Sequence, residues 1–517
     1  MTAVPPADWR SRLDRAADRL AALGAPRAFD PADRAPRSVP HAPTPDRTHP
    51  APRLVSLEAA LEACGLRDGA TLSFHHHLRN GDGVLNAVLD IAAGRGLRGL
   101  RIAASSIFPV HAPLADHMRA RVVAELWTDY VRGPVAEAIG DGALSGPLVL
   151  QSHGGRARAV AARELEVDAA FIAAPMADAS GAATGARGRA TCGPLGYPMV
   201  DAAHARQVVI VAEDLSETTL IAPEIPAARV DWLVQVPSIG DPGGVRSGTT
   251  LPAEDPVGRA LAALAARTAA AAGLLTDGFS FQTGAGGAPL ASAAAIGAAM
   301  GEAGVVGGFV SGGITAAHVA LVEAGLFREI RDVQCFDLDA ARSFARDPWH
   351  HGMSAAEYAS PIHPDPVAHR LDLMVLGAAE IDRDFNVNVT LGGDGLLIGG
   401  PGGHPDTAAG ARVTMALTRL TGGGHAKLVE AVRCRTTPGE DVDLVLTEMG
   451  VAVHPAREDL RDRLAAARIP LVEIDAMIAR AAAEATRTPA QTSDHLLGYV
   501  ESRDGAVMDA LFAPATG

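Results

Sequence analysis

Residues Phe279 to Leu290 read F-S-F-Q-T-G-A-G-G-A-P-L, a short apolar strand that runs through Gly284, Gly286 and Gly287 into an alanine-rich helix. Three positions without side chains let backbone N–H groups lie against a carbonyl or phosphate oxygen. The helix start behind them adds unpaired donors and the positive end of a dipole. Pro289 fits the first helical turn, where a missing N–H costs nothing. A dinucleotide-binding fingerprint needs a third glycine and an acidic residue about 20 positions on. Here Pro289 takes the third-glycine position and Val305 to Phe309 is apolar. A tight strand-to-helix turn with no ligand is the plain alternative. A second loop, G-G-P-G-G-H-P-D from Gly399 to Asp406, has the same make-up and also opens an alanine-rich helix. That repetition favours a paired binding role.

Strand-to-helix turns of this kind belong to open, largely parallel α/β sheets, and the rest of the chain follows the same rhythm. Strands are predicted at 70–74, 100–103, 147–151, 169–173 and 207–211, with helices at 56–64 and 84–93. After Asp241-Pro242-Gly243-Gly244 the programme restarts with a helix over 257–272. The 279–310 unit matches the one at 72–103. Leu371 to Leu376 with A-A-E-I-D echoes Ala169 to Ala173 with A-P-M-A-D, and Val442 to Leu446 with T-E-M-G echoes Val208 to Val211 with A-E-D-L. Three matched units in order predict two similar α/β domains, 53–245 and 246–517, facing each other across a cleft. Ahead of them, residues 1–52 hold an amphipathic helix from Trp9 to Leu23, capped by Asp8 and stopped by Gly24, and a proline-rich arm without periodicity from Pro26 to Pro52. The helix's apolar stripe is expected to meet a partner.

A chain of 517 residues has room for such domains, and its 48% hydrophobic residues with only 4% aromatics require cores of Ala, Val and Leu. The net charge of −15 argues against nucleic acid or an anionic membrane as partner, so an anion site must be a local cluster of cations. Cys64, Cys192, Cys335 and Cys434 are scattered without metal or disulfide spacing, which suits a reducing cytosol. The N-terminal residues lack the apolar segment of a signal peptide. Ala303 to Val322 is charge-free, but its glycines, Ser311, Thr315 and His318 read as buried strand, loop and helix rather than a membrane span.

Seven motifs carry a resemblance over nearly the whole chain: S-F-H-H-H-L-R-N-G-D (73–82), S-H-G-G-R (152–156), C-G-P-L-G-Y-P-M-V-D-A (192–202), S-F-Q-T-G-A-G-G-A-P-L-A (280–291), S-G-G-I-T (311–315), F-N-V-N-V (385–389) and G-G-H-P-D-T-A-A-G-A (402–411). With these the chain resembles the citrate lyase alpha subunit family, the citrate CoA-transferase component. The resemblance implies two CoA-transferase-like α/β domains and exchange of acetyl for citryl on an acyl carrier thioester, with acetate released. In such a complex a beta subunit then cleaves the citryl thioester to oxaloacetate. The reactive thiol is a CoA-derived group on a small gamma carrier subunit, so no cofactor held tightly by this chain is expected; acetyl-CoA is the natural surrogate.

The residues suit that chemistry. Carboxylate attack on a thioester needs an oxyanion site, which backbone N–H groups at Gly284 to Gly287 and at Gly402 and Gly403 can supply, with Gln282 beside them as a further catalytic candidate. A tricarboxylate needs cationic partners, and Arg79, Arg132 and Arg156 each adjoin a glycine-containing loop, Arg79 and Arg156 within the family motifs. Ser311 and Thr315 stand in the S-G-G-I-T turn as further substrate contacts. His75 and His77 share one face of an extended strand, but no carboxylate near them in sequence completes a metal set, so substrate or carbonyl hydrogen bonding is expected and no metal. Asp406 suits the first turn of its own helix as a cap. Many CoA-transferases form a covalent thioester on a glutamate; the stretch where relatives carry it reads S-G-G-I-T, without an acid. That favours direct attack of the substrate through a mixed anhydride. A glutamate-dependent transferase or hydrolase acting on free CoA thioesters, and a non-catalytic scaffold subunit, are the alternatives.

Overall fold

The first predicted strand forms as β2 (Thr71–His75), every residue of it buried, because a parallel strand covered on both faces has no side that tolerates water. The structure is a computed structural model that describes residues 8–30, 52–75, 77–247 and 250–515; most of the expected proline-rich arm lies outside the described residues. Around β2 are β1 (Arg53–Val55), β3 (Leu100–Ala104), β4 (Val123–Thr128), β5 (Leu148–Leu150), β6 (Ala169–Asp178), β7 (Gln207–Ser216) and β8 (Trp232–Gln235). The second sheet contains β9 (Ser280–Thr283), β10 (Gly307–Ile314), β11 (Phe327–Cys335), β12 (His350–Gly352), β13 (Leu373–Gly377), β14 (Val413–Leu417), β15 (Leu444–Thr447) and β16 (Gly450–Val453). The chain ends in β17 (Thr492–Glu501) and β18 (Val507–Pro514).

Strand order exposes the internal repeat more clearly than sequence does. The first sheet runs β8-β7-β6-β2-β3-β4-β5 and the second β15-β14-β13-β9-β10-β11-β12, with parallel pairing throughout both runs. The first two sequence echoes fall on equivalent strands. The third is one strand out: Val208 to Val211 lies in β7, whose counterpart is β14, while Val442 to Leu446 leads into β15, the counterpart of β8. Short apolar strands look alike, and only neighbour pairing separates them.

Two further expectations are corrected. The last strands do not belong with 246–517: β17 runs parallel to β5, with Gly498 opposite Leu148, and β18 closes the edge of the first sheet antiparallel to β17. The N-terminal helix forms at Trp9–Ala22 with the Asp8 carboxylate accepting from the Ser11 N–H, but its apolar stripe is already covered. Leu13, Ala16 and Leu20 pack on Tyr499, Val507 and Phe512 of that hairpin, and buried Arg12 pairs with Asp509. Helix and hairpin together cap the first sheet.

The two halves touch through the 192–202 motif. A Cβ on Gly193 would lie 2.3 Å from Cys335 Sγ, and one on Gly196 would lie 2.4 Å from the Val333 carbonyl oxygen and 2.6 Å from that of Met353. Glycine here lets the helix Gly196–His204 approach the second half closely enough to share a cleft. Among the described residues no helix is long and apolar enough to cross a membrane.

Candidate active site

The turn after β2 puts Arg79 in the left-handed region, φ 56°, a conformation that costs a non-glycine residue and is held here by neighbours. The 3₁₀ turn Arg79–Gly81 is pinned by Asp241, whose N–H donates to the Gly81 carbonyl at 2.7 Å. The Arg79 guanidinium is buried. Its Nη2 donates to Ser247 Oγ at 3.0 Å, it lies 4.1 Å from the Phe336 ring centre and 5.0 Å from that of Phe108, and its Nε has no partner among the described residues. No carboxylate faces it among the described residues, and burial lowers its pKa to about 10. An unpaired buried cation is costly, and it is the arrangement expected of a group that waits for an anion. His77 beside it is buried with both ring nitrogens unpartnered among the described residues, and burial, with the nearby charges of His75 and Arg79, drives its pKa down to about 3. Arg132 is exposed on the wall of a cavity of about 640 Å³ that also reaches Asn80 and Ser247 beside Arg79.

Arg156 does not join this anion site. It projects from the helix His153–Ala161 into the protein, where Nη1 and Nη2 reach the two Asp201 oxygens at 3.1 and 3.2 Å, and Nη2 also donates to Ser73 Oγ at 3.0 Å. His75 Nε2 bonds the same Asp201 carboxylate at 2.5 Å, so His75 is also committed, not presented to substrate by that nitrogen. Burial opposes the Asp201 charge, but Arg156 and His75 win and hold the carboxyl well below its ordinary range. The four groups form a buried strut that fixes the β2 turn against the helix bearing Tyr197. Sequence placed Arg156 at a strand's carboxyl end correctly; the carboxylate it meets, from 45 residues away, was not readable.

The loop after β5 opens the helix His153–Ala161, with the Ser152 hydroxyl accepting from Gly155 N–H at 3.0 Å. Asp406, expected to cap its own helix, caps this one: its carboxylate takes the Gly154 N–H at 2.7 Å and the Ser152 hydroxyl at 2.9 Å. Burial raises the Asp406 carboxyl pKa against the pull of Arg503. His153 Nδ1 bonds buried Asp129 at 2.6 Å, and its backbone N–H donates to the Gly402 carbonyl at 2.9 Å. Its ring lies 4.9 Å from Tyr197 and 6.5 Å from Tyr358, centre to centre.

From the second half, Gln282 Nε2 donates to the Tyr358 hydroxyl at 2.7 Å, leaving Gln282 Oε1 unpartnered; Gly403 lies against the same hydroxyl, where a Cβ would come within 2.7 Å. Ser311 pairs with Gln282 in register and has a fully buried, unpartnered hydroxyl. Thr315 is turned inward: its hydroxyl and N–H meet His318 Nδ1 at 3.1 and 3.2 Å, and His318 Nε2 meets Thr283 Oγ1 at 3.1 Å. His404 is likewise spent, between Thr437 Oγ1 at 2.7 Å and the Gly377 carbonyl at 3.0 Å.

The two glycine loops come together at Gly377, whose carbonyl bonds His404 and whose N–H lies 3.6 Å from where a Gly284 Cβ would stand, yet most of the expected oxyanion donors are taken. Gly284 donates to Val375, Gly287 to Leu251 and Gly402 to Asp129, at 2.7, 2.8 and 3.1 Å. Gly287 and Gly402 have φ of 64° and 51°, so these glycines serve the turn rather than the ligand. Gly286 and Gly403, the N-cap positions of the helices Gly287–Ala303 and His404–Gly410, have no carbonyl partner among the described residues. They remain available with the Tyr358 hydroxyl proton.

Asp129, His153, Tyr197 and Tyr358 escaped the sequence reading. One signal could have found the tyrosines: the chain has four, and Tyr130, Tyr197 and Tyr358 all border this cleft. A Cys–Asp–His group also comes together elsewhere, at Asp332, Cys335 and His350. It is internally satisfied, the Asp332 carboxylate taking both the Cys335 thiol and His350 Nε2 at 3.0 Å.

Comparison with known proteins places this geometry. Residues 53–513 match the family model for the citrate lyase alpha subunit. The citrate lyase alpha chain of Klebsiella pneumoniae is 40% identical over 457 residues, 88% of this chain and 90% of that one. A crystal structure assigned as the alpha subunit of citrate lyase in complex with citrate, from Streptococcus mutans, superposes with a TM-score of 0.89 at 40% identity, covering 92% of this chain and 94% of that one. A 4-hydroxybutyrate CoA-transferase from Porphyromonas gingivalis shares the fold at 15% identity and a TM-score of 0.51, over 80% of this chain and 94% of that one.

Proposed function

The chain belongs to the citrate lyase alpha subunit family, and from that premise we propose that it exchanges the acetyl group of a carrier-bound thioester for a citryl group, releasing acetate. The observation that carries the reading is Arg79: a buried guanidinium that, among the described residues, has no carboxylate opposite it, beside a histidine whose two ring nitrogens have no partner among them. A chain of net charge −15 repels a trianion at long range, so capture falls to such local groups. The citrate named with the Streptococcus mutans structure is the anion that suits this site.

In this reading Arg79 and His77 take carboxylates of citrate, and one free carboxylate attacks the acetyl carbon. The Tyr358 hydroxyl and the Gly403 and Gly286 N–H groups receive the developing oxyanion, each such donor being worth about 3–4 kcal/mol in comparable sites. Gln282 orients Tyr358 by donating to its oxygen, which leaves the phenolic proton to point away from Gln282. The CoA-derived thiol arrives on the gamma carrier subunit, and the beta subunit takes the citryl product on to oxaloacetate. Direct attack is supported over a glutamate-linked intermediate by the state of the two acids in question. Glu380 is buried against Arg433 and Asn388, and Glu448 accepts the Leu420 N–H.

Purified chain incubated with acetyl-CoA and a panel of citrate, homocitrate, citramalate and malate tests the reading. Acetate release and a new citryl thioester with citrate alone are expected, with no CoA adduct on the protein before hydroxylamine treatment and no glutamyl hydroxamate after it. Acid-independent hydrolysis of acetyl-CoA, or a glutamyl adduct, would sink it.

A further inference from the structure

The cleft holds one proton-carrying pair that the roles above leave unused. His153 is fixed at ring and backbone: Nδ1 donates to Asp129 at 2.6 Å, and the backbone N–H donates to the Gly402 carbonyl at 2.9 Å. The Asp129 carboxylate is fully buried while 18% of the His153 side chain is open. Nε2 has no partner among the described residues and lies on the Gly402 side of the ring, 3.5 Å from where a Gly402 Cβ would stand. A carboxylate on Nδ1 fixes the tautomer, stabilises the imidazolium and leaves Nε2 as the working atom. Tyr197 and Tyr358 face the ring from the two flanking helices, Asp406 with its partner Arg503 lies beyond the backbone, and Asp129 is the carboxylate in direct contact.

Resting on the exchange reaction above, we propose that His153, positioned by Asp129, is the acid that protonates the departing thiolate and the base that takes that proton back. As a citrate carboxylate oxygen bonds to the acetyl carbon, the C–S bond breaks, its electron pair goes to sulfur, and sulfur takes the Nε2 proton. A mixed acetyl–citryl anhydride, a thiol and a neutral imidazole result. The imidazole then removes the thiol proton as sulfur attacks the citryl carbonyl, and acetate leaves with the electrons of the C–O bond. No proton is gained or lost over the cycle.

The role predicts a dependence on the leaving group. Rates are measured for the full-length chain with citrate and two acetyl donors, acetyl-CoA and acetyl-thionitrobenzoate, whose thiolate leaves without protonation. For His153→Gln, kcat with acetyl-CoA is expected to fall about 100-fold or more with KM for citrate little changed, and the loss with the aryl thioester to shrink to within about 10-fold. Asp129→Asn should show the same pattern more weakly. The ratio of the two donors within one variant does not depend on how much of it is folded. Equal losses on both donors, or an unchanged kcat, would overturn the role while leaving the exchange reaction standing. Absence of any acetyl-for-citryl exchange by the unmodified chain would overturn both.

Discussion

Replacing Arg79 by methionine separates a binding cation from a structural one. Burial lowers the guanidinium pKa from 12.5 to about 10, a free-energy cost on the order of 3 kcal/mol. At neutral pH, below both values, the whole of that cost is present in the folded chain. The Phe336 and Phe108 rings return about 1–2 kcal/mol of it through cation–π contact, leaving about 1–2 kcal/mol that only an arriving anion relieves. Methionine fills similar volume without charge, so Arg79→Met without citrate should melt at the wild-type temperature or above it. The same change removes one charged hydrogen-bonded contact to substrate, about 1.5–3 kcal/mol, and lowers kcat/KM for citrate roughly 10- to 150-fold. Thermal melts with and without citrate, beside the citrate dependence of acetyl-thioester consumption, measure both quantities. A variant that melts clearly lower without citrate, or that keeps the wild-type citrate-induced rise in Tm, refutes the reasoning and makes Arg79 a structural residue.

The remaining expectations concern the frame around the cleft. Arg156→Ala takes from buried Asp201 its guanidinium partner and leaves only His75 and Ser73, so it should destabilise the fold by about 3–5 kcal/mol in urea titration; a near-neutral variant would contradict the strut. Gly196→Ala forces a methyl group to within 2.4 Å of the Val333 carbonyl oxygen, and should cost about 1–3 kcal/mol while displacing Tyr197; a fully active variant with unchanged Tm would show that the halves do not need this approach. Burial holds His77, His318 and His404 at about 3, 4 and 4 against an ordinary 6.5. Each therefore takes up a proton on unfolding, and the stability they confer is complete above about pH 6.5 and lost as pH falls toward 4. The slope reaches about 4 kcal/mol per pH unit where all three contribute, and urea midpoints that stay level from pH 7 to pH 5 would rule this out.

The sequence by itself determined the strands, the turns and two of the three echoes of the repeat. Val, Ile, Leu and Ala runs bounded by glycine predict buried parallel strands because such strands have no wet face, and glycine before an alanine-rich helix can only be a strand-to-helix turn. Those rules are local, and β2, β3, β6, β7 and β9 formed where they were expected. The family was legible for the same reason: its motifs are contiguous. Tertiary structure alone decided what each polar side chain does. Arg79 and Arg156 read alike in sequence, a cation after a strand in a glycine-containing motif, yet among the described residues one meets no carboxylate and the other meets Asp201. Asp406 reads as the cap of its own helix and caps a helix more than 200 residues away. The glycine N–H groups looked equally free until Val375, Leu251 and Asp129 took three of them, and His153 became a candidate acid only when Asp129 arrived at Nδ1. A charge or a donor acquires its role from the group opposite it, and across a cleft between two domains that group comes from a distant part of the chain.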